Sequence, residues 1–80
     1  MSDIRIIYCK PCGYLRKAEA AAAALQTELG VRATLEAGKA GIFEVRAGED
    51  VLLKRTRAWF PAPEDVVAAV RLHVAGKAER

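Results

Sequence analysis

The sequence predicts an α/β domain in which a four-stranded mixed sheet carries two helices, in the order β-α-β-β-β-α. Two observations predict this class. Apolar residues recur at three- and four-residue intervals in two long segments, and short β-branched or alternating segments precede and separate them. The length of 80 residues allows a single domain over 1–80 and leaves no room for a second. An apolar share of 52% is sufficient for one sheet-and-helix core.

The first half of the chain has the pattern of a strand, a long helix and a second strand. Segment 3–8 is mostly β-branched and aromatic, which predicts a strand. Apolar residues at helical spacing predict an alanine-rich helix over 12–29, and Gly30 is expected to end it as a left-handed cap. Apolar and polar residues then alternate over 31–36, which predicts a half-buried strand.

The second half has the pattern of a hairpin followed by a helix. A glycine-rich turn leads to strands over 42–46 and 51–54, which a tight turn at 48–50 joins. Pro63 is expected in the first turn of the last helix, and Gly76 is expected just past its end. The predicted buried stripe of this helix consists of Val66, Val67, Val70 and Val74.

Both cysteines of the chain lie in Tyr8-Cys9-Lys10-Pro11-Cys12-Gly13, where the first strand passes into the first helix. A cysteine in the first turn of a helix lies near unpaired backbone N–H groups and the positive end of the helix dipole, and both favour the nucleophilic thiolate. Lys10 adds a cation, and Pro11 is well tolerated where a helix begins. A Cys-x-x-Cys pair after the first strand of such a sheet predicts a thioredoxin-like domain with redox-active Cys9 and Cys12.

The lack of a membrane-spanning run and of signal-peptide features predicts a cytoplasmic protein. No apolar run approaches the roughly 18 residues that cross a bilayer, and Met1-Ser2-Asp3-Ile4 does not resemble a signal peptide. In that reducing compartment, a Cys-x-x-Cys pair near a βα unit is expected to be catalytic or metal-binding rather than a structural staple. The net charge of +3 is too mild to indicate nucleic acid, but it favours anionic thiols such as glutathione.

Other interpretations of the residues that could carry chemistry remain open. The two cysteines could be small buried hydrophobic residues. They could also be half of a zinc site, but zinc requires four ligands and the chain adds only the distant His73, so a complete site would need a dimer. We predict no metal and expect His73 to be a partly buried helix residue. Glu44 is expected to face solvent, the alternative being a carboxylate that shuttles protons for the cysteines.

A short basic and aromatic cluster, formed by Lys54, Arg55 and Arg57 beside Trp59 and Phe60, precedes the last helix. At this net charge we expect a solvated loop rather than a site for single-stranded nucleic acid. The two aromatic residues either pack over the sheet edge or stay exposed beside the cysteines, where they would form a docking surface.

At these residues the chain resembles the selenoprotein W-like family, also called the Rdx or selenoprotein W/T/H family. The likeness extends from about Ile4 to Val74. Three segments carry it: Tyr8-Cys9-x-x-Cys12-Gly13-Tyr14, Gly41-Ile42-Phe43-Glu44-Val45, and the basic loop Lys54-Arg55-Thr56-Arg57 before an aromatic residue. The pair of cysteines alone is a weak motif, whereas the combination is fairly specific.

The resemblance implies a thioredoxin-like fold and a thiol oxidoreductase that is linked to glutathione as a co-substrate, with no bound cofactor. Selenium-containing relatives carry selenocysteine at the position of Cys12, so this chain is similar to a cysteine-containing bacterial-type homologue with a slower nucleophile. Two segments depart from the patterns of related proteins. Ala58-Trp59 stands where the family commonly has glycine, and Lys39-Ala40-Gly41 stands where thioredoxins carry a cis-proline.

Which of the two sulfurs attacks first stays open at this point. A position near the helix N-cap favours Cys9 as the more exposed, attacking thiolate, with Cys12 as the partly shielded resolving thiol. The resemblance implies the reverse, because selenium occupies the position of Cys12 in relatives. We give a slight preference to Cys12.

The sequence leaves two functions from different classes. The first is a thiol–disulfide oxidoreductase of cell redox homeostasis, whose partner is glutathione or a disulfide-bearing protein. The second is a redox-responsive module that docks proteins through the cysteine face and the Trp59-Phe60 loop without appreciable turnover. A homodimer is compatible with both. The residues predicted to contact the partner are Lys10, Pro11, Gly13, Tyr14, Trp59 and Phe60.

Overall fold

The computed structural model describes residues 4–78, and the elements follow the predicted order. Asp3, where the sequence predicts the first strand to begin, lies outside the described residues. The ends of the first and last strands, at Tyr8 and Lys54, are as predicted, and the other described strand boundaries shift by one or two residues. The elements are β1 (Ile4–Tyr8), α1 (Leu15–Leu29), β2 (Ala33–Ala37), β3 (Phe43–Ala47), β4 (Asp50–Lys54) and α2 (Pro63–Ala78).

The sheet has the strand order β2-β1-β3-β4 and is mixed, as predicted. β1 pairs with β2 in parallel, whereas β1 with β3 and β3 with β4 are antiparallel. Ala47 pairs with Asp50, so only Gly48 and Glu49 form the turn of the hairpin. Asp50, which the sequence places in that turn, therefore already belongs to β4. β1 is central, and its carboxyl end carries the cysteines.

Both helices pack on one face of the sheet. Alternate residues of β1 and β3 point to that face and are buried with residues of both helices in one core. From the strands the core takes Ile4, Ile6, Tyr8, Phe43, Val45 and Ala47, and from the helices Ala18, Ala21, Leu25, Val66, Val67 and Val70. The predicted stripe of α2 is confirmed at three positions. It is wrong at Val74, which is 37% exposed.

The helix boundaries differ from the predicted ones at two points. α1 begins at Leu15, not at Cys12, because residues 10–13 form a turn in which Gly13 adopts a left-handed φ of 80°. Gly30 ends α1 with a φ of 65°, which confirms the predicted cap. Gly76 lies inside α2 rather than past its end. A single glycine in an exposed helix costs only about 1 kcal/mol relative to alanine, so the helix can continue through it.

The two helices run in the same direction. Two adjacent depressions lie between them, the first lined by Ala20 and Pro63 and the next by Glu28 and Arg71, so both helices advance together. The N-termini of α1 and α2 therefore lie at the end of the molecule that carries the cysteines. Within the described part of the chain, neither helix combines the length and the apolar character that crossing a membrane requires.

Candidate redox site

The cysteines lie in a tight turn between the end of β1 and the start of α1. Cys9 directly follows the last residue of β1, and the turn closes with two backbone hydrogen bonds. The N–H of Gly13 donates to the carbonyl of Lys10 at 3.1 Å, and the N–H of Tyr14 donates to the carbonyl of Cys9 at 3.3 Å. Tyr14 is the N-cap of α1. The turn is therefore fixed at both ends by regular secondary structure.

Cys9 and Cys12 are joined by a disulfide, with their Cα atoms 5.3 Å apart. The two residues differ in access to solvent, since Cys9 is 0% exposed whereas Cys12 is exposed. The expectation from the helix position that Cys9 is the more exposed sulfur is therefore wrong. The reason is that Cys9 continues the buried end of β1, while the turn carries Cys12 outward. A thiol that attacks this disulfide from solvent reaches Cys12 first.

The other residues of the turn lie beside Cys12 in the chain and are open to solvent to different degrees. Lys10, Pro11 and Gly13 are all exposed, and Tyr14 is half-buried. Pro11 fixes its own φ and supplies no N–H, so it restricts the turn without competing for its hydrogen bonds. The structure thus brings these four predicted contact residues together around Cys12.

The sequence allowed Trp59 and Phe60 either to pack on the sheet or to stay exposed, and the structure shows one residue in each state. Phe60 is half-buried and packs edge-on against Tyr14, with ring centroids 4.9 Å apart, and against Phe43 at 4.7 Å. Trp59 is 42% exposed, and its backbone pairs with Thr56 to close the loop. Phe60 therefore connects the cysteine turn to the loop before α2, and Trp59 extends from that loop into solvent.

Arg55 and Lys17 are the residues around the site whose contacts the sequence did not reveal. Arg55 donates from Nη1 to the carbonyl of Gly41 at 3.0 Å and places its guanidinium 5.8 Å from the ring centre of Tyr14. Lys17 holds its Nζ 4.9 Å from the ring centre of Phe60. The clustering of basic and aromatic residues in the sequence was the only signal. It did not show that these loops meet beside the cysteines.

The remaining candidates lie elsewhere. Glu44 pairs with Ile7 across the strands, on the face away from the helices, and its carboxylate contacts the guanidinium of Arg46 at 2.8 Å. His73 is half-buried in α2 beside β4. Among residues 4–78 no group of three or more His, Cys, Asp or Glu side chains is placed to hold a metal ion. The zinc alternative would thus still require a second chain.

Comparison with known proteins gives one family. The model of the Rdx family matches residues 3–72. A crystal structure of a protein from Bordetella parapertussis superposes with a TM-score of 0.80 at 28% identity, covering 90% of this chain and 96% of that one. The crystal structure of the selenoprotein W-related protein from Vibrio cholerae also superposes with a TM-score of 0.80, at 19% identity. The match covers 91% of this chain and 96% of that one. Among curated proteins there is no significant match. These findings confirm the predicted thioredoxin-like fold and the resemblance.

Proposed function

Because this chain belongs to the Rdx family and holds Cys9 and Cys12 within bonding distance, we propose that it is a thiol–disulfide oxidoreductase. The pair cycles between dithiol and disulfide in cell redox homeostasis. The observation that supports this proposal most directly is the unequal solvent exposure of the two cysteines, since Cys12 is exposed and Cys9 is buried. This asymmetry supports a division of labour in which one sulfur meets the substrate and the other completes the exchange.

In the reaction that we propose, the thiolate of Cys12 attacks one sulfur of a substrate disulfide. A bond forms between Cys12 and that sulfur, and the other substrate sulfur leaves as a thiolate that takes up a proton. Cys9, deprotonated, then attacks the sulfur of Cys12 and releases the second substrate thiol. The substrate disulfide is reduced to two thiols, and the protein dithiol is oxidised to the Cys9–Cys12 disulfide.

Regeneration requires an external thiol, and we propose glutathione. Two glutathione molecules reduce the Cys9–Cys12 disulfide and leave as glutathione disulfide. The first forms a mixed disulfide at Cys12, because that sulfur is the exposed one. We also propose that this occurs in the cytoplasm, where glutathione keeps most thiols reduced.

Two single variants test the proposal. In glutathione redox buffers, we expect the Cys9→Ala variant to accumulate one glutathione adduct on Cys12, detected by mass spectrometry. The Cys12→Ser variant should accumulate little, because Cys9 has no surface for attack. The wild type should form a reversible internal disulfide and should reduce a disulfide substrate faster than free glutathione does. If the wild type shows neither adduct nor turnover, the oxidoreductase proposal is wrong.

The alternative is a redox-responsive module that docks a partner without turnover. The exposure of Trp59, in the loop that Phe60 joins to the cysteine turn, favours it. Under this alternative the wild type still forms the reversible disulfide but turns over no faster than free glutathione. Partner affinity would then change between the oxidised and reduced forms, and a Trp59→Ala variant would lose that difference.

A further inference from the structure

A groove between α1 and α2 opens beside the cysteine turn. Its first part has a volume of about 410 Å³ and lies between the first turns of the two helices. The seven residues that line it are Arg16, Lys17, Ala20, Phe60, Pro61, Ala62 and Pro63. Phe60 also contacts Tyr14, which is two residues beyond Cys12, so the groove begins at the end of the molecule that carries the cysteine turn.

The lining of the first part of the groove combines conformationally restricted apolar residues with two cationic ones. Phe60 and Pro61 supply apolar surface to the lining, and Pro61 and Pro63 fix their φ angles, so little backbone freedom remains to be lost on binding. Arg16 and Lys17 supply two positive charges, and none of the seven lining residues is acidic. This part is therefore complementary to an acidic side chain.

The groove continues along the helices, and the charge of its lining changes. A second part of about 380 Å³ shares Pro63 with the first and contains Glu28, Glu64 and Arg71. Two acidic residues and one basic residue line it, so its lining charge is opposite to that of the first part. From Arg16 to Glu28 the path along α1 is about 18 Å, which an extended chain spans with about five or six residues.

From the length and the charge order of this groove, we propose that it binds a polypeptide segment that flanks the substrate disulfide. The segment carries an acidic residue near its cysteine and a basic residue about five positions beyond that acidic residue. This inference rests on the proposed function and names its substrate class, a protein disulfide. A tripeptide such as glutathione would occupy only the first part of the groove.

Two peptides of identical composition test the proposal. In the matched peptide, a central cysteine has a glutamate about two positions away on each side and a lysine about seven positions away on each side, so that about five residues separate the two charges. In the reversed peptide, the glutamates and lysines exchange places. Both peptides are symmetric about the cysteine, so chain direction has no influence. Each is used as its own disulfide-linked dimer, at equal concentration, against the fully reduced protein in a single turnover.

We expect the matched disulfide to oxidise the protein roughly threefold faster or more, because two ion pairs favour it over the reversed one. The preference should fall toward unity in an Arg16→Gln, Lys17→Gln variant. It should persist in an Arg32→Gln, Arg57→Gln variant, which loses the same charge at exposed positions outside the groove. Added salt should reduce the preference of the wild type.

The other outcomes are distinguishable. Equal rates for the two peptides, or glutathione disulfide reacting as fast as the matched peptide, would overturn the groove proposal and leave the oxidoreductase in place. If no disulfide oxidises the protein, the proposed function fails. In that case, the binding of matched and reversed peptides that carry serine in place of cysteine is monitored by the NMR shifts of Ala20 and Ala62. This measurement tests the groove proposal independently of the redox reaction. Tighter binding of the matched peptide supports it, and equal or absent binding overturns it.

Discussion

Gly38, in the loop between β2 and β3, lies directly against the end of β1. Its N–H donates to the carbonyl of Tyr8 at 2.8 Å, so it ties this loop to the strand that ends at the cysteines. A Cβ at this position would collide with Cγ2 of Ile7 and would lie 3.1 Å from Cγ2 of Ile42. Both are β-branched side chains with little freedom to turn away. We therefore expect Gly38→Ala to lower the free energy of unfolding by about 1–3 kcal/mol, measured by urea denaturation.

The matched control is Gly76→Ala, the same chemical change inside α2. Nothing lies within 4 Å of a Cβ at that position. Alanine is the better helix former, so the free energy of unfolding of this variant should rise by about 0.5–1 kcal/mol. Opposite signs for the two variants would attribute the loss at Gly38 to the collision with Ile7. If Gly38→Ala leaves the free energy of unfolding unchanged, the loop moves freely and does not constrain the end of β1.

At the scale of the elements, the start of α2 depends on a reciprocal cap. The N–H of Ala62 donates to Oδ2 of Asp65 at 2.8 Å, and the N–H of Asp65 donates back to the carbonyl of Ala62 at 2.9 Å. We expect Asp65→Ala to lower the free energy of unfolding by about 1 kcal/mol. Glu64→Ala removes an equal charge from the same turn without breaking a side-chain hydrogen bond, so it should cost less. If the two variants lose equal stability in thermal or urea unfolding, the contribution of Asp65 is an interaction with the helix dipole and the hydrogen bond adds nothing.

The elements and the sulfur pair could be predicted from the sequence because periodicity and turn residues are local properties. The start of α1 could not, because the left-handed turn at Gly13 separates the cysteines from a helical pattern that itself extends to Cys12. The burial of Cys9 depends on what packs over the end of β1, which no local pattern records. The groove between the helices depends on their running in parallel. The contact of Phe60 with Tyr14 likewise depends on the topology that brings the loops together.

At the scale of the whole molecule, placing both helices on one face leaves charged side chains on much of the other face, where Ile7 is buried beneath the loop at Gly38 and Ile42. There Arg5 lies opposite Arg46 on the neighbouring strand, an arrangement of like charges that is unfavourable alone. Each is matched by a carboxylate, Arg5 by Glu36 at 3.2 Å and Arg46 by Glu44 at 2.8 Å. We expect a double Glu36→Gln, Glu44→Gln variant to lower the free energy of unfolding by about 1 kcal/mol, because ion pairs that stay partly open to solvent contribute little singly. The loss should shrink in high salt, and a loss unaffected by salt would contradict this account.

The redox state of the pair should also have a limited effect on the stability of the whole molecule. The disulfide joins residues only three positions apart, so it removes little entropy from the unfolded chain, about 2 kcal/mol in the chain-entropy model. The core of β1, β3 and the two helices does not depend on this bond. We therefore expect the reduced protein to remain folded and to unfold within about 2 kcal/mol of the oxidised form, measured by urea denaturation with and without a reductant. A Cys9→Ala, Cys12→Ser variant should match the reduced protein and should not respond to the reductant. A reduced protein that is unfolded would make the pair a structural staple, since a redox pair that cycles in every turnover requires a fold that persists in both states.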